Sequence, residues 1–177
     1  MTTPVSDATE RAWRPGRVLV IVVIVAMVAM WAYVLYLAFG PGRQPPPDRL
    51  ADPTFARAAQ ERCEEAHADV AGLPRAVEAK TATERARIVD VANDRFSAMI
   101  DEIEPLAPAG DDGEVVHEWI ADWRTYLEDR ASYADALRSD PDARLFVTAR
   151  ENEQVTEYID AFAADNHMAA CATPIDV

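Results

Sequence analysis

Lysine and cysteine are nearly missing from this chain. Lys80 is the one lysine among seventeen basic residues, and Cys63 and Cys171 are the two cysteines. The sixteen arginines, with abundant Ala, Asp and Val, match the composition of a GC-rich bacterial genome. Glycine is scarce too, six residues in 177, and no Gly-rich loop that would cradle a phosphate is present. The few serines sit in no nucleophile elbow, and there is no HExxH pair. Asp111-Asp112-Gly113-Glu114 is too short for a calcium-binding EF-hand loop. His117 beside Glu118 is a commonplace helix pairing. With no catalytic motif, the chain reads as a non-enzyme without a cofactor. No internal repeat is visible.

What is present is one long stretch without charge. Val18 to Phe39, VLVIVVIVAMVAMWAYVLYLAF, runs for twenty-two residues. As a helix it reaches roughly 33 Å, enough for a hydrocarbon core of about 30 Å. In lipid every backbone polar group must be paired within the segment, which forces a helix. Trp31, Tyr33 and Tyr36 lie towards one end and Trp13 precedes the other, as interfacial rings do. Arg11, Arg14 and Arg17 crowd the residues before the run, against Arg43 and Arg49 after it. The positive-inside rule then leaves the N-terminus (1–17) as a cytoplasmic tail and everything after Gly40 outside. The apolar run is longer than a signal-peptide core, so an uncleaved signal-anchor is expected, although Ala38-Phe39-Gly40 has the small-x-small form of a cleavage site. A lipoprotein would need a Cys just after the run, and the first is Cys63.

Beyond the span, residues 40–53 carry PGRQPPPDRLADP, a proline-rich spacer expected to be stiff and extended. Residues 54–177 are enough for one domain with a real core. Setting aside Asp7, Glu10, Arg11, Arg14 and Arg17 from totals of 31 acidic and 17 basic residues leaves 29 and 14 after the span, a formal charge of about −15. Such a surface repels phosphate backbones and anionic head groups, which argues against nucleic acid as a partner; it is otherwise explained by solubility.

The domain is helical in every long window. Asp52-Pro53 opens a first helix towards Gly72, a fitting residue just past a helix end. Its inward line is Phe55, Ala59, Cys63, Ala66, Val70 and Leu73. Thr81-Ala-Thr-Glu84 is a capping box for a second helix that buries Ile88, Ala92, Met99, Ile103 and Leu106, with Phe96 beside them. Pro105 and Pro108 end it. Asp111 or Asp112 caps a third helix reaching about Arg138. Leu145-Phe146-Val147 is a β-prone connector, and Thr148-Ala-Arg-Glu151 a capping box for a fourth helix with Val155, Ile159 and Phe162 inward. The expected architecture is all-α: one transmembrane helix followed by an up-down four-helix bundle.

The third helix carries the most distinctive pattern. Trp119, Trp123, Tyr126, Arg130, Tyr133 and Leu137 recur at spacings of 4, 3, 4, 3 and 4, one helix face. As a ligand site this face would be an aromatic groove with Arg130 receiving an anion. As core it would anchor the bundle, Arg130 stacked on a ring and paired with a neighbouring helix's carboxylate. The spacing favours core, because a bundle needs such a stripe. The pattern Trp119-x3-Trp123-x2-Tyr126-x2-Asp129-Arg130-x2-Tyr133-Ala134, with Asp122 before Trp123, resembles the helical ectodomain of uncharacterised single-pass membrane proteins of GC-rich bacteria. That resemblance covers the soluble domain and implies architecture only.

Cys63-x3-His67 and His167-x3-Cys171 each place a Cys and a His one helical turn apart. Facing one another, they would form a Cys2His2 zinc site. The favoured alternative outside the cytoplasm is a Cys63–Cys171 disulfide, closing a loop of about 108 residues and stabilising the fold by roughly 4–5 kcal/mol in the chain-entropy model. Acidic runs such as Asp101-Glu102-x-Glu104 read as solvated faces rather than metal ligands. Together these features describe an anchored structural or protein-interaction module of the cell envelope, its protein partner unspecified. The alternative is a module holding a small ligand or a cation in the bundle core.

Overall fold

The computed structural model describes residues 15–40 and 46–176. They fall in two compact units, Met1–Pro45 and Pro46–Val177. The described residues are mostly helical, with five α-helices and one two-stranded hairpin.

Helix α1, Pro15–Phe39, is the chief described element of the first unit. Its most apolar 18-residue window, within Gly16–Phe39, has a mean hydropathy of 2.9 and none of that window is buried. It is long and apolar enough to cross a membrane, and it begins three residues before the uncharged run, on a proline that has no N–H to satisfy. The expected tail lies outside the described residues as far as Arg14.

In the second unit, the expected spacer proves to be only partly a spacer. Residues 41–45 lie outside the described residues, but residues 48–51 are fastened to the unit. Leu50 is buried and its N–H donates to Asn166 Oδ1 at 2.8 Å. Asn166 Nδ2 donates to the Asp48 carbonyl at 2.9 Å, and the Ala51 N–H to Asp112 Oδ2 at 3.0 Å. One apolar side chain and two partnered amides suffice to dock a segment that proline content alone describes as free.

Helix α2, Pro53–Ala71, starts as expected: Asp52 accepts from Thr54 N–H and Pro53 takes the first position. Gly72 ends it with a right-handed φ of −77° rather than a left-handed one. Helix α3, Ala82–Ile103, is capped by Thr81, whose Oγ1 accepts from Glu84 N–H at 3.1 Å. The Glu84 carboxylate reaches back to the N–H of Lys80, at 2.9 Å, rather than that of Thr81. Ile88, Ala92, Phe96, Met99 and Ile103 are buried, while Leu106 is exposed in the 3-10 turn Glu104–Leu106. Helix α4, Asp111–Ser139, is preceded by Gly110 at φ 79°, ψ −154°, backbone that only glycine adopts without strain. The aspartates therefore fill its first turn, where the helix dipole favours them, and neither occupies the cap itself.

The expected fourth capping box is not one. Ala149–Arg150 (β1) and Glu153–Gln154 (β2) form an antiparallel hairpin, turning through Glu151 and Asn152 at φ 51° and 76°. Two consecutive positive φ values are what a two-residue hairpin demands, and Asn tolerates them. Thr148 donates its hydroxyl and N–H to Asp129, at 2.9 and 2.7 Å, and because the chain after it turns back in the hairpin, no helical N–H is placed for its oxygen to cap. Helix α5 begins only at Val155 and ends at Asp165. In the preceding connector Leu145 and Val147 are half-buried, but Phe146 is 80% exposed.

Helices adjacent in sequence pack on one another, α2 on α3, α3 on α4 and α4 on α5, and the 3-10 turn Ala169–Cys171 packs on α2 and α5. The main core holds Phe55, Phe96, Ile100, Trp119, Trp123 and Phe162. A second cluster holds Ile88, Val89, Tyr133 and Leu137.

Candidate functional site

Trp119, Trp123, Tyr126 and Arg130 of α4 are all buried, Trp123 and Arg130 completely. The 3.6-residue period carries them along one face, and α2, α3 and α5 cover it with Phe55, Phe96 and Phe162. Trp119 meets Phe55 edge-on at 6.3 Å between centroids and tilts over Phe162 at 5.3 Å. Trp123 contacts Phe96 and Tyr126, each at 6.0 Å. These are the separations and inclinations that ring quadrupoles favour. Neither indole N–H of Trp119 or Trp123 has a hydrogen-bond partner among the described residues. Tyr133 is not brought to the others; it lies in the second cluster with Ile88 and Leu137.

Arg130 is the polar centre of this face. Its Nε donates to Asn93 Oδ1 at 2.6 Å, and Asn93 Nδ2 donates in turn to the Leu127 carbonyl at 3.2 Å. Its Nη1 and Nη2 donate to the two carboxylate oxygens of Asp176, at 2.6 and 2.7 Å, the bidentate fork that suits guanidinium. Nη1 also reaches the Tyr126 hydroxyl at 3.4 Å, and the guanidinium lies 5.6–5.7 Å from the Tyr126 and Phe96 rings. Burial acts to lower the Arg130 pKa, but the bonds and charge of Asp176 outweigh it and hold the group above its ordinary value. A stacked arginine paired with a carboxylate was expected, but from a neighbouring helix. Asp176 instead belongs to the segment 172–176, which has no regular secondary structure.

His67 packs edge-on against Phe96 at 5.2 Å. Its Nε2 is buried without a hydrogen-bond partner among the described residues. Burial lowers its pKa, opposed by the nearby Ala172 carbonyl, the Asp176 charge and the Ala170 carbonyl. The Cys63 and Cys171 sulfurs stand 2.04 Å apart, with Cα atoms 5.2 Å apart, inside the range that bridged cysteines occupy. The four zinc-ligand candidates are not brought together. His167 falls past the end of α5, at φ 60° and exposed. Cys171 sits in a 3-10 turn, so the assumed one-turn spacing of these two residues is lost. Among the described residues no group of three or more His, Cys, Asp or Glu is placed to hold a metal.

A second polar cluster escaped the sequence. Arg150, from the hairpin, pairs with Glu118 and donates to Asp122 Oδ2 at 3.1 Å, its guanidinium 4.0 Å from the Tyr158 ring centroid. Asp122 is 7% exposed, and burial pushes its carboxyl up to about 6. The Arg150 contact acts against that rise, but this guanidinium is shared with Glu118 and a third exposed, so desolvation prevails. The Glu151-Asn152 turn was the available signal, because it brings Arg150 back over α4. His117 is exposed. Glu104 and Asp101 pair with Arg124, at 2.8 and 3.5 Å, and Glu102 with Arg62 at 3.5 Å, all solvent-facing pairs that add little stability.

The described residues thus define a mostly helical protein with one apolar N-terminal helix and a buried, internally paired arginine. No family model, curated protein or solved structure matches the chain.

Proposed function

We propose that this is a single-pass protein of the cell envelope, its N-terminus cytoplasmic and residues 46–177 outside. On this reading α2 to α5 form an up-down four-helix bundle that presents a surface to another protein. The observation that carries the interaction reading is the packing of the two tryptophans of α4: with Trp119 and Trp123 buried among Phe55, Phe96 and Phe162, the indoles offer no open face to an aromatic ligand. Apolar surface is left outside the core instead, in Phe146. The arginines before the span and the paired cysteines support the orientation, since thiols persist inside a cytoplasm and disulfides outside it. The acidic surface argues against nucleic acid.

Alkaline phosphatase, active only outside the cytoplasm, fused after Val177 is expected to be active; an inactive fusion with a bright cytoplasmic reporter at the same position would refute the orientation. A photo-crosslinking residue at Phe146 is expected to give a discrete adduct in native membranes, and one at exposed Glu61 none. Equal labelling from both positions, or none from either, would overturn the interaction role.

A further inference from the structure

Asp176 is the only carboxylate bonded to Arg130 among the described residues, and it comes from a lightly held segment. Residues 172–176 contain no helix or strand, Ile175 is fully exposed, and the Asp176 side chain is 22% exposed. Besides those of Asp176, the segment's hydrogen bonds among the described residues run from Thr173 N–H and Oγ1 to the Asp160 carboxylate, at 2.7 and 3.2 Å, and from Ala172 N–H to the Ala169 carbonyl at 3.5 Å. Arg130, by contrast, is fixed from behind: Asn93 holds Nε, two rings flank the plane, and α4 supplies the backbone. The cation half of the ion pair is thus set in the helical core, and the anion half sits on an irregular segment five residues beyond the Cys171 disulfide. Beside them lies a cleft of about 260 Å³ whose walls include His67, Val70, Leu73, Ile88, Ala92 and Asp176 itself. Its walls are apolar apart from His67, Arg75 and Asp176.

We propose that the Arg130 pocket is a binding site for small apolar carboxylates, held closed by Asp176 of the chain's own 172–176 segment. The ligand's carboxylate takes over the bidentate position on Nη1 and Nη2, and its short hydrocarbon body enters the cleft against Val70, Leu73, Ile88 and Ala92. Specificity follows from the fork, which matches a planar carboxylate and cannot be satisfied by an alcohol or an amine. A tethered competitor acts at an effective concentration on the order of millimolar, so the intact chain binds weakly and loosening the segment exposes the site. The site does not depend on the interaction role proposed above.

The test is a butyrate titration of the full chain in nanodiscs, read by the NMR resonance of the Arg130 Nε–H, with butanol and sulfate at matched concentrations as controls. In the Asp176→Asn protein butyrate is expected to shift that resonance saturably, with a Kd at least tenfold below that of the unsubstituted chain and no response to butanol or sulfate. Asp160→Ala, which frees Thr173 while leaving Asp176 in place, is expected to bind a few-fold more tightly than the unsubstituted chain and decides the matter if Asp176→Asn does not fold. No saturable shift in a folded variant, the same affinity with and without the substitutions, or an equal response to sulfate overturns the proposal.

Discussion

At the scale of single residues, burial decides what each polar or aromatic group does. Trp123 touches Phe96, Trp119 and Tyr126 and has no exposed surface. Trp123→Ala leaves a cavity that fixed helices cannot close, and is expected to cost about 3–5 kcal/mol in denaturant melts; a cost under about 1 kcal/mol would mean an open groove. Asp122 makes a prediction with a definite sign. Its carboxyl, raised from 3.8 to about 6, holds a proton in the folded state that the unfolded chain has already released. Its contribution to stability is therefore full below the unfolded pKa and lost as pH rises from about 4 to about 6. Asp122→Asn removes that loss. Measured by urea melts at pH 4, 5, 6 and 7, the variant should gain on the parent protein across this window, by at most about 3 kcal/mol, and hold a constant difference above it. A difference that does not change with pH would show that Arg150 keeps Asp122 ionised throughout.

At the scale of elements, backbone strain and capping outweigh local propensity. Gly110 holds a conformation essentially restricted to glycine, yet a Cβ there would meet nothing within 4 Å. Gly110→Ala is accordingly expected to destabilise by about 1–3 kcal/mol through strain alone, detectable as a lower urea midpoint with an unchanged m-value. Gly113 is the contrasting case, since a Cβ there would lie 2.1 Å from the Pro108 carbonyl oxygen. Both glycines set how α4 departs from the turn after Pro108, and α4 carries every residue of the aromatic face. The hairpin 149–154 works the other way: it delays α5 and delivers Arg150 to Asp122 and Glu118.

At the scale of the molecule, the second unit is closed by its two ends. Asp48 and Leu50 hydrogen-bond Asn166 just past α5, and Cys63 of α2 meets Cys171, 108 residues later. Thiol counting on unfolded protein purified without reductant is expected to find no free thiol, and reduction to lower stability by roughly 4–5 kcal/mol without abolishing the fold. Two free thiols would refute the covalent link. The fold should survive reduction because the ring contacts of its aromatic core, from Phe55 to Phe162, remain when the bond between the sulfurs is broken.

Periodicity and local chemistry by themselves determined the apolar helix, the helical character of the rest, the starts of α2 and α3, the inward faces of α4 and of α3 as far as Ile103, and the cysteine pairing. Each depends on neighbours a few residues away or on a compositional run, except the pairing, which followed from there being two cysteines and one partner for each. Only the tertiary structure decided where polar groups end. The Thr148 capping box failed because the chain after it turns back in a hairpin that delays α5 to Val155, while Asp129, nineteen positions away, orients Thr148 by accepting from its N–H and hydroxyl. The proline-rich spacer was shortened because Asn166 and Asp112 offered partners to its amides. His167 left the expected ligand set because α5 stops at Asp165 and the chain turns left-handed. Arg130 was legible as a buried cation, but the identity of its anion was not. A helix face has to pack somewhere and so announces itself by its period, whereas a guanidinium takes whichever carboxylate the folded chain brings within 3 Å, from any distance along the sequence.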